Sequence, residues 1–138
     1  MNNNTLIGAI AGDIIGSQHE FSPMKSIDFP LFTTSSLFTD DTIMTDANAD
    51  WLLTGDSLLG IMQDYGNRYP SSYGCMFYEW LRADTPQPYN SWGNGSAMRV
   101  SPVGWAFDTL EKTLKVAKRI PDEFIDIMQQ FYEKFVAK

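Results

Sequence analysis

The sequence predicts an all-α protein. Apolar residues recur at helical spacing along most of the chain, capping residues precede several of these runs, and no segment is a convincing strand. The chain has 138 residues, of which 43% are hydrophobic and 14% aromatic, and this composition suits a single domain with a real core. A domain of this size buries roughly two-thirds of the surface that its unfolded chain exposes.

The first predicted helix spans Leu6 to Ser17 and carries a glycine at every fourth position. Gly8, Gly12 and Gly16 lie on one face, where each costs roughly 1 kcal/mol relative to alanine. We therefore interpret this face as a place where another backbone or a ligand approaches closely. Asp13 belongs to the same helix and is a candidate to face the same place.

A loop and a second helix follow. Pro23, Pro30 and a Thr/Ser cluster predict an irregular segment that runs to Leu37. The second helix is predicted to begin near Thr42 and to end around Thr54 and Gly55. Its expected buried stripe consists of Ile43, Met44, Ala47 and Trp51.

Two further helices are predicted between Asp56 and Leu81. Asp56 is expected to cap a helix that Gly66 terminates, with a buried face formed by Leu58, Leu59, Met62 and Tyr65. A shorter helix near Cys75 to Leu81 is expected to bury Met76, Phe77 and Trp80.

The last third of the chain begins with an irregular stretch, rich in Gly, Pro, Asn and Ser, that should continue until Ser96. Asp108 and Glu111 have the spacing of a capping box for a helix from Thr109 to Lys118. Pro121 then favours the start of a final helix, whose apolar stripe comprises Phe124, Ile127, Met128, Phe131 and Phe135.

Charge and residue counts exclude several classes of function. The formal net charge of −7 argues against nucleic acid as the main partner, because that role needs a basic surface. The single Cys75 excludes an internal disulfide framework, and its apolar neighbours predict a core position. One histidine leaves little room for a His-rich metal site. No apolar run approaches the ~20 residues of a membrane span, so we expect a soluble cytoplasmic protein with no membrane partner.

Two adjacent acids at the start of the second helix pose the main functional question. A helix N-terminus has free N–H groups and a positive dipole end, which a single aspartate satisfies. One interpretation of Asp40 and Asp41 is therefore capping plus a solvated neighbour, and on spacing alone this is the commoner case. The other is a hard-cation site, in which Thr39, Asp40 and Asp41 offer oxygen ligands to Mg²⁺ or Mn²⁺.

The segment "GNGSAMR", from Gly93 to Arg99, also allows two interpretations. It is either a tight turn that leads into a helix, or a backbone nest whose N–H groups cradle a phosphate. Arg99 is correspondingly either a bidentate partner of a phosphate or carboxylate, or one half of a surface salt bridge.

Three stretches in a fixed order resemble the ADP-ribosylglycohydrolase family. They are "GAIAGDIIGSQHEF" (Gly8 to Phe21), "FTDDTIMT" (Phe38 to Thr45) and "PQPYNSWGNGSAMRVSPVGWAFDTLE" (Pro86 to Glu111), and the resemblance runs from about Thr5 to Ala117.

The resemblance implies an all-helical fold, two divalent cations with Thr39, Asp40 and Asp41 among the ligands, and catalysis by Glu20 together with Asp41. It also implies that ADP-ribose lies against the loop formed by Gly93, Asn94, Gly95, Ser96, Met98 and Arg99.

The chain departs from the family by being abbreviated. Members that resemble it are considerably longer and carry a later Asp-x-Asp-Thr segment that completes the metal ligands, and this segment is absent from the sequence. Residues 1–118 resemble the N-terminal half of the family fold, and residues 119–138 resemble its closing helix, so we expect one shortened domain over residues 1–138. We expect one ion or none.

The expected function is therefore hydrolysis of ADP-ribosyl glycosidic bonds, with activity weakened or lost. The alternatives are a non-catalytic module that binds ADP-ribose or a nucleotide, and a folded remnant without activity. Because helices without packing partners expose apolar stripes, we also expect a homo-oligomer. Its contact would involve either the stripe from Phe124 to Phe135 or the glycine face of the first helix.

Overall fold

A computed structural model describes residues 6–87, 89 and 93–120 of the chain. These residues form seven helices and contain no strand, which confirms the predicted all-α fold. The helices are α1 (Ile7–Ser17), α2 (Asp40–Thr54), α3 (Leu58–Arg68), α4 (Cys75–Leu81), α5 (Gly95–Arg99), α6 (Ser101–Ala106) and α7 (Leu110–Ala117). Within the same residues, no helix is both long and apolar enough to cross a membrane.

Helix α2 is the centre of the fold, because α1, α3, α5 and α6 all pack against it. Its predicted stripe is confirmed, with Met44 and Ala47 completely buried and Ile43 and Trp51 nearly so. Thr39 caps its start, and Gly55 ends it in the left-handed conformation, with φ at 75°. That backbone conformation strongly favours glycine.

Helix α3 differs from its prediction at both ends. Ser57 and not Asp56 is the N-cap, since the Ser57 hydroxyl accepts the amide of Gly60 at 3.2 Å. Gly66 does not terminate the helix, which continues to Arg68. Instead Gly66 is a contact point for α4, because a Cβ atom placed there would lie 2.4 Å from the buried side chain of Leu81.

Helix α4 buries Phe77, Trp80 and Leu81, but the predictions for its first turn were wrong. Cys75 is exposed rather than in the core, and Met76 is 43% exposed. The reason is that Phe77, Trp80 and Leu81 form the face that packs toward the core, and Cys75 and Met76 project from the other side of the first turn.

Helix α7 begins one residue later than the capping-box spacing suggested. The Thr109 hydroxyl accepts the amide of Lys112 at 3.3 Å, so Thr109 is the cap in place of Asp108. The final predicted helix, with its stripe from Phe124 to Phe135, lies outside the described residues.

Helix α1 has no fully buried residue. A Cβ atom placed on Gly8, Gly12 or Gly16 would meet nothing within 4 Å, so the expected close approach of another backbone is wrong for the part of the chain that the structure describes. The alternative, that the glycine face lies beside a ligand site, agrees with the position of Gly12 and Gly16 on a cavity wall.

The segment after α1, residues 18–39, is irregular as predicted and leaves many apolar side chains uncovered. Ile27 is fully exposed, at 102%, and Phe21 is 86% exposed. The other exposed large apolar residues of the segment are Met24, Leu31, Phe32, Leu37 and Phe38. Where such side chains gather into one large patch, the patch marks an interaction surface.

We predict that replacing Gly66 with alanine destabilises the protein, whereas the same change at Gly60 on the same helix does not. Overpacking against Leu81 costs about 1–3 kcal/mol, and the better helix propensity of alanine returns only about 1 kcal/mol. At Gly60 the nearest atoms to a new Cβ lie at 3.5 Å, an ordinary contact, so propensity alone should act. Urea unfolding of both variants measures this difference, and an equal or greater stability of Gly66→Ala would contradict it.

Self-association stays a prediction. Of its two expected contacts, the stripe from Phe124 to Phe135 lies outside the described residues, and we propose the exposed segment from Phe21 to Phe38 as a further candidate. A standard interface removes about 800 Å² from each partner, and seven large apolar side chains of this segment are exposed. We expect a dimer in light scattering at micromolar concentration, and a monomer after joint replacement of Phe21 and Ile27 by serine. The matched control is Leu53→Ser, which removes an exposed leucine, 72% accessible, near the opposite end of α2. A monomeric parent protein would contradict the prediction.

Candidate functional site

A cavity of about 620 Å³ brings together the three segments that the sequence singled out. Helix α1, the start of α2, the start of α4 and the segment that enters α5 form its walls. Of the predicted site residues, those that line it are Glu20, Thr39, Asp40, Asp41, Gly93, Asn94, Gly95, Met98 and Arg99. Ser96 does not line the cavity but lies fully buried behind the wall.

The first wall is organised by Asp13, whose carboxylate joins α1 to the N-terminus of α2. Its Oδ2 accepts the amides of Thr39 and Thr42, at 2.7 and 3.1 Å, and the Thr42 hydroxyl at 2.5 Å. Its Oδ1 accepts the Thr39 hydroxyl at 2.7 Å. Asp13 therefore supplies the anionic cap of α2 from outside the helix, and Asp40 and Asp41 are not needed for that purpose.

The Thr39 side chain has two hydrogen-bonding roles. Its hydroxyl donates to Asp13 and accepts the amide of Asp41 at 3.3 Å. This second contact makes Thr39 the N-cap of α2. The arrangement leaves the acids in the first turn of the helix, on the cavity wall.

Asp40 and Asp41 are half-buried side by side, and their environment disfavours two negative charges. Burial raises the pKa of Asp41 to about 6, and the charges of Asp40, Asp13 and Glu20 add to the effect, whereas Arg99 opposes it. The pKa of Asp40 is also raised, mainly by burial, although its own backbone amide lowers it. A bound cation would relieve this repulsion, because it stabilises the ionised carboxylates.

Two buried polar side chains of α2 hold the Gly93–Arg99 segment, which forms another part of the cavity wall. Thr45 donates its hydroxyl to the carbonyl of Met98 at 3.3 Å, and Asn48 donates its side-chain amide to the carbonyl of Arg99 at 3.0 Å. Helix α5 and the Gly93–Arg99 loop are thereby fixed against the helix that also carries the acids.

Arg99 is not part of a surface salt bridge, because it is only 4% exposed. Its guanidinium lies 5.0 Å from the ring centre of Phe77, and its Nε donates to the carbonyl of Gly95. The surface interpretation is therefore wrong. Arg99 also lines the cavity, where its charge lowers the pKa values of Asp40 and Asp41.

Several lining residues were not predicted from the sequence as part of a site. Met76, Phe77 and Tyr89 add apolar surface to the cavity, and Cys75 adds a free thiol. The ring of Phe77 stacks on that of Trp80, with the ring centres 5.4 Å apart. The helical spacing of Phe77 correctly predicted this core packing, but it did not indicate that Phe77 also borders a cavity. One side of the cavity thus offers oxygen ligands and the other offers aromatic surface.

A divalent cation requires oxygen donors that lie close together. Among residues 6–87, 89 and 93–120, no group of three or more His, Cys, Asp and Glu side chains forms a metal cage. A hydrated Mg²⁺ usually takes only one or two protein carboxylates and keeps several waters. Thr39, Asp40 and Asp41 are therefore the described residues that would hold such an ion.

We predict that Asp41 gives metal-free protein a distinctive pH dependence of stability. The folded-state pKa of about 6 exceeds the ordinary value of 3.8, so the folded protein binds more protons between these pH values. The stabilising contribution is complete below about pH 4 and is lost as the pH rises through about 6. The melting temperature of Asp41→Asn should therefore rise relative to the parent between pH 4 and 7 in a chelator. A difference that stays constant over this range would contradict the assignment.

Comparison with known proteins gives one match. Residues 3–121 match the sequence profile of the ADP-ribosylglycohydrolases, whereas no curated protein and no solved structure matches the chain. The matched stretch includes all seven described helices and every residue of the cavity wall. The chain therefore belongs to the ADP-ribosylglycohydrolase family.

Proposed function

We propose that this protein binds ADP-ribose, or an ADP-ribosylated substrate, in the 620 Å³ cavity and hydrolyses its glycosidic bond with reduced efficiency. Members of the family act on ADP-ribosylated substrates and are generally Mg²⁺-dependent. The observation that carries the proposal is that Glu20, the segment Thr39 to Asp41 and the loop Gly93 to Arg99 border one cavity, although they are far apart in sequence.

The part of the cavity wall at the start of α2 has the residues for a cation site. Thr39, Asp40 and Asp41 would hold Mg²⁺ or Mn²⁺ through their oxygens. When bound, such an ion neutralises charge on ligand oxygens and helps to orient them. A cation would offset the cost of ionising both aspartates, whose pKa values are raised by burial and by nearby carboxylates, among them Asp13 and Glu20.

Arg99, Phe77 and Tyr89, which also line the cavity, are suited to the nucleotide part of the ligand. Arg99 would pair with a phosphate oxygen, and the backbone of Gly93 to Gly95 would lie beside the same group. Phe77 and Tyr89 offer apolar surface to a ring. The two walls together would orient the ligand's ribose toward the acids.

Glu20 and Asp41 are the proposed catalytic groups. A carboxylate would accept a proton from a water molecule while that water's oxygen forms a bond to the anomeric carbon. The glycosidic bond breaks with its electron pair going to the leaving group, which is then protonated. Both side chains line the cavity, and Asp41 would take this role in protein without a bound ion, because an ion held by Asp41 would lower its pKa below the ion-free value of about 6.

Activity is expected to be weak, because the family's later Asp-x-Asp-Thr ligands are absent from the sequence. Loss of even an outer partner of a metal site typically costs roughly 10- to 100-fold in affinity or activity. We therefore propose that the residues of the given sequence hold one ion or none.

The test is release of ADP-ribose from ADP-ribosylated protein with and without added Mg²⁺. We expect slow, Mg²⁺-stimulated release, and at least a ~10-fold loss in Asp40→Asn, because a cation ligand is removed. Asp46→Asn is the matched control. Asp46 lies on the same helix and is also half-buried, but it does not line the cavity, so release should be unchanged. Absence of Mg²⁺-dependent release would reject the enzymatic proposal.

A binding module is the second candidate, favoured by a basic and aromatic wall that is present beside an incomplete ligand set. Calorimetry with ADP-ribose separates the two candidates. Binding without turnover would support the module, and no binding would reject both and leave a folded remnant.

A further inference from the structure

Asp13 accepts more hydrogen bonds than any other side chain in the described residues and yet lies on the cavity wall. The four donors come from only two residues, Thr39 and Thr42. An ionised carboxylate offers about four lone-pair sites, so this set uses most of its capacity. Asp13 is therefore poorly placed to act as a ligand itself, and its effect on the site must pass through the threonines.

The hydrogen bond from Thr39 to Asp13 decides what the Thr39 oxygen can do. A threonine hydroxyl has one proton and two lone pairs. The proton is committed to Asp13 Oδ1 at 2.7 Å, and one lone pair accepts the amide of Asp41 at 3.3 Å. One lone pair remains on an oxygen whose residue lines the cavity, and the oxygen can offer it only as an acceptor. An oxygen that binds a cation must likewise offer a lone pair and not a proton.

We propose that Asp13 is a positioning residue of the cation site, which holds the Thr39 hydroxyl as an oxygen ligand without touching the ion. The inference rests on the proposed function, since it assumes that Thr39, Asp40 and Asp41 bind a divalent cation. It adds a residue outside that ligand set, on a different helix, and a mechanism by which that residue controls affinity.

A purely structural role is the competing explanation. Asp13 also caps α2 and fastens α1 to it, so its removal would lower stability whatever it does for Thr39. Its negative charge alone would also attract a cation from a distance. Neither of these effects depends on the Thr39 hydroxyl, whereas the positioning effect exists only through it.

A double-mutant cycle separates these explanations, with Mg²⁺ affinity measured by calorimetry and Mn²⁺ affinity by electron paramagnetic resonance. We expect Asp13→Asn to weaken binding of both ions at least ~10-fold. In a Thr39→Ala background the same substitution should change affinity less than ~3-fold, because the hydroxyl that it orients is gone. Equal effects in the two backgrounds would overturn the proposal and leave only the charge or the fold.

The matched control is Thr42→Val, which removes one hydroxyl bond to Asp13 without touching Thr39. It should lower the melting temperature and leave ion affinity within ~3-fold of the parent. If Thr42→Val lost as much affinity as Asp13→Asn, the effect of Asp13 on affinity would come entirely from joining α1 to α2. If Asp13→Asn does not melt cooperatively, the cycle is run with Asp13→Glu, which keeps the carboxylate but displaces it by a methylene, and the same two expectations apply.

The parent protein supplies the reference that distinguishes the two levels of inference. If it binds neither ion, the cation site of the proposed function fails and the positioning role fails with it. If it binds ions and the cycle shows no coupling, only the positioning role fails.

Discussion

The enclosure of α2 by its neighbours is the constraint on which the rest of the structure depends. A helix surrounded on most sides can carry polar side chains only where they find partners. Thr45 meets that requirement by donating to the carbonyl of Met98, and Asn48 meets it in part, because its amide NH₂ donates to the carbonyl of Arg99 while its Oδ1 accepts no hydrogen bond. Asp13 meets it for the free amides at the helix start. The same helix therefore anchors both walls of the cavity, and the site is a consequence of how its polar groups are satisfied.

This arrangement brings both signs of charge to the cavity. Asp40, Asp41 and the buried Arg99 all line it. Arg99 lowers the pKa values of both acids, but burial and their like-charged neighbours outweigh it. The proposed ligand, with phosphates and a sugar, would meet both kinds of charge, with a cation between its oxygens and the acids.

Local spacing predicted the described helices and the place of the two acids at the start of α2, and it failed where a result depended on distant partners. The stripe of α2 and the position of Asp40 and Asp41 in its first turn follow from neighbouring residues. The cap supplied by Asp13 does not, because its partners lie 26 and 29 residues away. The exposure of Cys75 was missed for a related reason. Which face of α4 turns inward depends on the packing of Leu81 against Gly66, and this contact leaves no trace in local periodicity.

Helix α1 contributes glycines and Asp13 to the cavity, yet none of its residues is fully buried. Elements with little buried apolar surface open at a free energy well below that of global unfolding. Because the apparent affinity of a site scales with the fraction of molecules in the competent state, separation of α1 from α2 would weaken binding of the proposed ion. Binding of that ion would conversely hold α1 in place and slow amide hydrogen exchange along a helix that lies largely at the surface.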